Sequence, residues 1–302
     1  MMIASDIVFH TMLNLLIVSL IWAFSFGLIK TSLAGLDANF VSAARLGLSL
    51  IVFLPFFRPR GVSRPVALKL ILVGAIQYGG MYLAYIASFQ YLQAYQVALF
   101  TLFTPLYVTL ANDWLLRRFN GFTLLAVFLT IAGAWIVRGG AGLHPGLLAG
   151  FGLVQISNVC FAIGQIAYRA VLGSQPVKDH QIFALPYLGG FLVAGIASVV
   201  FSPWNTLVVS LPQGLILLYL GVISSGLCFF LWNVGARQVN GGTLAIFNDL
   251  KVPLAVAVAV FFFGEKANWV SLILGSGLCL FALWLNAWAQ RRQPFQRSGL
   301  DG

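Results

Sequence analysis

Long apolar runs, separated by short stretches with glycine, proline or charge, make up almost the whole chain. A helix needs about 20 apolar residues to cross a membrane. Ten runs reach or approach this length, at residues 12–32, 39–57, 67–88, 95–112, 121–138, 146–169, 181–201, 212–235, 243–263 and 267–289. No loop between them could hold a soluble domain. The pattern predicts an all-α polytopic membrane protein with ten transmembrane helices.

Composition supports this interpretation. Of the 302 residues, 60% are hydrophobic and only 8% are charged, whereas a soluble domain carries about 25% charged residues. The net charge of +10 comes from basic residues scattered singly between apolar runs, so no nucleic-acid partner is expected. The first run has no basic leader and is long enough to span, so we expect a first helix rather than a cleaved signal peptide.

Lysine and arginine in the short loops predict the orientation, because these residues concentrate on the cytoplasmic side. With a cytoplasmic N-terminus, the outer side carries only Lys30, Arg138 and Lys266. The inner side then holds Arg58, Arg60, Arg64, Lys69, Arg117, Arg118, Arg169, Lys178, Arg237, Arg291, Arg292 and Arg297. Both termini are therefore predicted to be cytoplasmic.

The two halves of the chain share spacings that indicate an internal repeat. Pro105 and Pro253 each lie ten residues into their spans, the fourth and the ninth. A repeat of five helices is odd-numbered, so the second copy would enter the membrane from the opposite side and give inverted repeats. We expect the first five-helix repeat at 1–142, the second at 143–290 and a cytoplasmic tail at 291–302.

The ninth span contains polar residues that lipid disfavours. Asn248, Asp249 and Lys251 precede Pro253, and each central charge costs about 2.5–3.5 kcal/mol on insertion scales. Lys251 lies about 12 Å along the span, near the midplane of the membrane. Because Pro253 has no N–H, it leaves the carbonyl of Asp249 without its usual partner, which predicts a broken helix.

Two interpretations of this segment are open. In the functional one, which we favour, Lys251 binds a carboxylate and Asp249 or its carbonyl binds an ammonium group, so the site holds a zwitterion. In the structural one, each charge pairs permanently with another helix and Pro253 only adds a kink. Pro105 and Pro253 are in addition the predicted hinges of spans four and nine.

Other spans carry polar or aromatic stripes that could line a pathway. Tyr78 and Tyr82 in the third span could stack on a substrate, with Tyr85 and Phe89 better suited to an interfacial belt. Asn158 and Gln165 in the sixth span could line a channel or bond between helices. Further candidates are Gln96, Phe100 and Thr104 in span four, Trp22 with Ser25 in span one, and Gln155 in span six.

Three features are interpreted as structural. Arg45 in the second span is either an electrostatic funnel at the outer mouth or a residue that reaches the interface, and we favour the second. Arg169 is predicted to anchor the inner surface. Spans five and ten hold few polar residues, so we expect them at the periphery, facing lipid or packing on other helices.

Motifs for several kinds of chemistry are absent from the sequence. It contains no GxxxxGK[ST] phosphate loop, no HExxH or CxxC and no GxSxG, so neither ATP hydrolysis, a metal site nor acyl transfer is indicated. We expect no cofactor, no metal and no enzymatic activity. An ion channel is also disfavoured, because channels use rings of charge from symmetric elements.

The sequence resembles the drug/metabolite transporter superfamily in its ten-helix form with two EamA-type repeats. The resemblance rests on LIWAFSF around Trp22, ARLGLS with Arg45, ALFTLFTPLY with Pro105, and VPLAVAVAVFFFGE with Pro253 and Glu265. Within the superfamily, the chain is similar to bacterial amino acid exporters, including aromatic amino acid exporters of the YddG type. Two departures are the LLRRF segment, where the first repeat lacks a glutamate, and the polar FNDLKVP segment, which is similar to members that handle anionic solutes.

The resemblance implies a secondary transporter of a bacterial inner membrane that works by alternating access. We expect export of amino acids, aromatic ones and other small zwitterions included, with organic anions, carboxylates or drug-like metabolites as the alternative substrates. A channel or an intramembrane enzyme is a more distant alternative. Proton coupling, facilitated diffusion and exchange all stay open, as do the monomeric and homodimeric states. The expected partners are a small-molecule substrate and the lipid bilayer.

Overall fold

The computed structural model of the chain describes residues 2–58, 61–115, 121–137, 145–173, 177–239, 241–266 and 268–292. Ten long helices follow one another within these residues. They are α1 (Met2–Ser32), α2 (Ala38–Phe53), α3 (Arg64–Ser88), α4 (Ala94–Phe100, Thr101–Phe103 and Thr104–Leu115), α5 (Gly121–Val137), α6 (Pro145–Leu172), α7 (Ala184–Phe201), α8 (Leu211–Gln238), α9 (Gly241–Phe261) and α10 (Trp269–Arg292). A 3-10 turn, Leu54–Phe56, extends α2, and Asp179–Ile182 forms one helical turn before α7.

The predicted spans match these helices to within a few residues at each end, except that α1 begins at Met2, ten residues before the predicted first span. Eight of the described helices are long and apolar enough to cross a membrane, α5 is a shorter apolar helix, and α9 carries the charged segment. No strand occurs in the described residues, so the all-α fold class is confirmed. Outside the described residues lie Arg60, Arg117, Arg118, Arg138 and Arg297, the 142/143 repeat boundary and positions 293–302 of the predicted tail.

The helices pack as two equivalent sets of five. In the first half α1 contacts α8 and α9, and in the second half α6 makes the corresponding contacts with α3 and α4. Likewise, α2 packs on α8 and α7 packs on α3, while α2–α7, α4–α9 and α5–α10 join equivalent helices. This exchange of partners agrees with the predicted inverted repeats. The exact bounds of the repeats stay a prediction.

Both halves also share a local distortion. The third helix of each repeat contains a π-helical segment, Ala75–Gly80 in α3 and Leu220–Leu227 in α8. Within the second segment the Ser225 hydroxyl donates to the Leu220 carbonyl at 2.7 Å, five residues earlier. Such segments widen the helical turn and re-aim the side chains that follow, which is why they are frequent at functional sites.

The two intramembrane prolines behave differently. Pro105 is the second residue of the α-helical segment that follows the 3-10 turn Thr101–Phe103, which interrupts α4. Pro253 lies inside α9, whose α-helix continues from Gly241 to Phe261. The predicted break at Pro253 is therefore wrong, because a membrane helix can accommodate one lost backbone hydrogen bond by local adjustment and packing. That both prolines act as hinges stays a prediction.

Helices α5 and α10 pack chiefly against each other at the edge of the molecule. Their outward faces expose large apolar side chains, including Phe128 at 68% and Trp284 at 58%. An even number of crossings puts the start of α1 and the end of α10 on one side, called the termini side below. The remaining eight helices surround the centre of the protein.

Candidate functional site

A cavity lies among α1, α2, α3, α4, α6, α8 and α9. Its lining is rich in aromatic rings and hydroxyl groups and consists of Trp22, Ser25, Phe26, Arg45, Met81, Tyr82, Tyr85, Thr101, Thr104, Ser157, Asn158, Phe161, Ser224, Phe229 and Lys251. Two of these described lining residues, Arg45 and Lys251, are basic and none is acidic.

Lys251 enters the cavity from α9. Its side chain is 7% exposed, and Nζ donates to Oδ1 of Asn248 at 2.9 Å. Nζ also lies 5.2 Å from the centre of the Trp22 ring, a geometry in which the ring attracts a cation. In the part of the chain that the structure describes, the ion pair found is Asp179–Arg237, and Lys251 has no carboxylate partner.

Trp22 is held in place from α8. Its Nε1 donates to the Ser224 carbonyl at 2.9 Å, and the hydroxyls of Ser25 and Ser224 lie 2.8 Å apart. The predicted Trp22–Ser25 pair therefore lines the cavity, and the π segment of α8 supplies the partners that fix it. Phe161 of α6 lines the cavity as well.

Arg45 is the lining residue that sequence reasoning misjudged. It is 2% exposed, so it does not reach the interface as expected. Its Nε donates to Oγ of Ser225 at 3.0 Å, and its Cζ lies 4.8 Å from the centre of the Tyr82 ring. The available signal was a charge within a span, the same signal that singled out Lys251.

The opposite wall of the cavity is neutral. Asn158 of α6 donates from Nδ2 to the Phe100 carbonyl at 2.8 Å and accepts from the Thr104 hydroxyl at 3.1 Å. Asn158 therefore holds α4 beside its 3-10 turn while it lines the cavity. Thr101 and Ser157 add further hydroxyls to the wall.

Tyr78 and Gln165 lie outside the lining, nearer the termini side. Both are buried in a polar and aromatic layer. The Asn233 Nδ2 donates to the Tyr78 hydroxyl at 2.8 Å, and Trp232 Nε1 donates to Gln165 Oε1 at 3.0 Å. These bonds join α3, α6 and α8 on the termini side of the cavity.

Three further predicted site residues do not line the cavity. Gln96 accepts from the backbone N–H of Gln93 at 3.0 Å in a capping box at the start of α4, so it stabilises a helix end. Asn248 is buried and orients Lys251. Asp249 accepts from Asn248 Nδ2 at 3.4 Å. Its carboxylate, which was expected to bind an ammonium group of the substrate, is not among the lining residues.

Similar proteins are known from several bacteria. The chain is 38% identical over 274 residues to the biotin transporters of Salmonella typhimurium and Escherichia coli, covering 90% of this chain and 91% of theirs. It is 37% identical to a probable biotin transporter of Pseudomonas aeruginosa, over 92% and 98% of the two chains. A solved crystal structure matches with a TM-score of 0.67 over 95% of this chain and 99% of the other, at 16% identity, which shows a common fold.

The EamA-like transporter family matches the chain in two consecutive segments, residues 10–139 and 148–288. The exchange of partners between the two halves and the central cavity agree with the inverted-repeat architecture of many secondary transporters. The chain is a membrane transporter that belongs to the EamA-like transporter family.

Proposed function

We propose that the chain carries biotin, or a closely similar carboxylate, across a bacterial inner membrane by alternating access. The observation that carries this proposal is a central cavity with two buried cations, Lys251 and Arg45, and no acidic side chain among its described lining residues. Charges act strongly at short range in a medium of low dielectric constant. The names of the relatives with 37–38% identity support the same substrate.

The neutral part of the cavity also suits biotin, which joins a carboxylate on an alkyl chain to a compact ring system with a urea group. Trp22, Phe161 and Phe229 offer apolar faces for the rings and the chain. The hydroxyls of Thr101, Thr104 and Ser157 offer hydrogen-bonding groups for the urea. An apolar cavity with a few polar groups is the usual form of a small-molecule site.

Amino acid export, which the sequence by itself favoured, has less support. An amino acid would need an acceptor for its ammonium group, and the expected acceptor was the Asp249 side chain or its backbone carbonyl. That side chain is not part of the lining. Organic anions were the alternative substrates, and biotin is one of them. This alternative agrees better with a cavity that is lined by two basic side chains, Arg45 and Lys251.

The test is transport by the purified full chain in proteoliposomes loaded with unlabelled biotin. We expect external radiolabelled biotin to accumulate by counterflow, with a rate that saturates and that unlabelled biotin competes away. Empty liposomes and liposomes with a heat-denatured sample provide the background. A parallel panel of labelled phenylalanine, alanine and short monocarboxylates measures the substrate range under the same conditions.

Saturable counterflow of amino acids without biotin counterflow would refute the proposal. Flux that never saturates and is accompanied by single-channel currents would argue for a channel instead. Both outcomes can be read from the same liposome preparation.

A further inference from the structure

Arg45 carries an unused hydrogen-bond donor. Its Nη1 is buried and has no hydrogen-bond partner in the described part of the chain, although its Nε is bonded to Ser225. An arginine stays protonated in proteins, so it cannot relieve its burial by losing its charge. A buried donor without a partner is costly, and a ligand that supplies the acceptor recovers that cost on binding.

The guanidinium is held in a fixed orientation. The Ser225 hydroxyl accepts from Arg45 Nε at 3.0 Å and from the Tyr82 hydroxyl at 2.7 Å, and it donates to the Leu220 carbonyl. The Tyr82 ring lies against the guanidinium carbon at 4.8 Å. Ser225 is 0% exposed and Tyr82 is 1% exposed, so these supporting contacts are buried, and Arg45 itself is one of the residues that line the cavity.

Lys251 is in a different situation. Its ammonium group already donates to Asn248 Oδ1 at 2.9 Å and faces the Trp22 ring at 5.2 Å. It keeps a donor for one more acceptor, but it is a point charge without the planar fork that matches a carboxylate. A neutral acceptor such as a carbonyl oxygen is a sufficient partner for it.

Aromatic rings connect the two cations. Lys251 lies over Trp22, the Trp22 and Phe229 ring centres are 4.9 Å apart, and Phe229 and Tyr82 are 5.9 Å apart. Arg45 lies over Tyr82 at the other end of this row. Along the cavity lining, the apolar surface of these rings therefore lies between the two basic groups.

We infer that Arg45, and not Lys251, is the carboxylate receptor of the transporter, and that Lys251 binds the neutral polar end of the same substrate. The inference deepens the proposed function, on which its choice of biotin rests. It reverses the expectation from the sequence, in which Lys251 binds the carboxylate of the substrate. Ser225 is the positioning residue that orients Arg45.

The test compares an acid with its uncharged analogue. Ligand binding to the purified full chain is measured as thermal stabilisation and as competition for labelled biotin, with the pairs biotin/biotin methyl ester and octanoate/octanamide. A charge-assisted hydrogen bond predicts about a ten- to hundredfold preference for each acid in the unsubstituted protein. The ratio of acid to neutral affinity is the readout, because damage to the fold lowers both affinities alike.

The variants separate the two cations. In Arg45→Gln the preference for the acid is expected to fall to within about threefold, and in Ser225→Ala it is expected to fall partway. Lys251→Met is expected to weaken the binding of the acid and of the ester by similar factors, so that the ratio of their affinities is kept.

Arg64→Gln, which changes an exposed arginine at the start of α3, is the matched control and should change neither affinity. Arg45→Lys is a second variant, used in case Arg45→Gln fails to fold. Because it keeps the positive charge but loses the planar guanidinium, an intermediate ratio of acid to neutral affinity is expected.

Either of two results would overturn the inference: a ratio that survives Arg45→Gln and collapses in Lys251→Met, or no preference for the acid in the unsubstituted protein. Failure of the proposed function looks different. If biotin does not bind but octanoate is preferred over octanamide in an Arg45-dependent way, biotin is the wrong substrate and the carboxylate receptor stands.

Discussion

At the scale of single residues, the cavity depends on two basic side chains whose described hydrogen-bond and ring partners are uncharged. Lys251 has an amide oxygen and an indole ring, and Arg45 has a hydroxyl and a phenol ring. Such partners lower the cost of burying a charge without neutralising it. Both groups therefore keep their attraction for an anion that enters the cavity.

Removing the charge of Lys251 tests this account directly. Lys251→Met keeps most of the apolar stem against Trp22 but deletes the ammonium group, so kcat/KM for biotin should fall about tenfold or more. Counterflow in proteoliposomes measures the change. Lys69→Met, at an exposed position of α3, is the control and should retain full activity.

The structural interpretation of the ninth span gives the opposite expectation. If Lys251 served only to hold the fold, Lys251→Met would aggregate or lose its monodisperse peak in detergent. A monodisperse variant with unchanged transport would show that Lys251 contributes neither to the stability of the fold nor to transport.

At the scale of elements, α3 and α7 are joined by direct backbone contact. A Cβ atom at Gly74 would lie 1.8 Å from the Pro186 carbonyl oxygen, and one at Gly189 would lie 1.8 Å from that of Ile71. Small residues allow membrane helices to approach in this way. The π segment of α3 begins immediately after Gly74, so the contact fixes the helix next to its distortion.

A methyl group at this contact is therefore expected to destabilise the protein. Gly189→Ala should lower the free energy of unfolding by roughly 1–3 kcal/mol or more, because the neighbouring backbone cannot move aside easily. Thermal unfolding in detergent measures the loss. Gly195→Ala in the same helix, where the nearest atom to the new Cβ is a Phe191 ring carbon at 3.8 Å, should cost nothing. Equal shifts for both variants would contradict the close contact.

At the scale of the whole molecule, alternating access requires that the contacts closing one side break when that side opens. On the termini side, Arg237 of α8 bonds both oxygens of Asp179 at 2.7 and 2.8 Å, and the Tyr168 hydroxyl of α6 donates to the same carboxylate at 2.7 Å. This cluster joins the ends of α6 and α8 to the turn before α7. It is a contact that opening on the termini side would have to break.

Breaking this cluster should favour opening on the termini side. Asp179→Asn and Arg237→Gln each remove an ion pair worth about 1 kcal/mol, which is roughly a fivefold shift in population. The measurement is labelling of Thr104→Cys, inside the cavity, by an impermeant thiol reagent from the termini side. The background variant lacks Cys160, Cys228 and Cys279.

The double variant provides a check on the mechanism. Both single changes remove the same contact, so their combination should add almost nothing to either one. Lys178→Gln, an exposed neighbour of Asp179, is the control and should leave the labelling rate unchanged. Additive effects, or an equal effect of the control, would mean that surface charge rather than the Asp179–Arg237 pair controls access.

The sequence by itself determined the class, the ten spans and the transporter family of this protein. Lipid offers no hydrogen-bond partners to the backbone, so each helical crossing needs about 20 apolar residues. Such runs can be recognised directly in the amino-acid sequence. The same rule singled out Lys251, because a charge in lipid stands out against its neighbours. The peripheral place of α5 and α10 followed from their lack of polar residues.

Only the tertiary structure decided which polar groups share the cavity. Tyr78 lies inside the π segment of α3 and Tyr82 lies two residues after it; Tyr82 lines the cavity, whereas Tyr78 belongs to the polar and aromatic layer on the termini side. Arg45 and Lys251 are brought into one cavity by packing between different repeats, and Asp249, two residues from Lys251, stays out of it. Such relations depend on helix rotation and contact between distant segments, for which a single sequence carries no periodic signal.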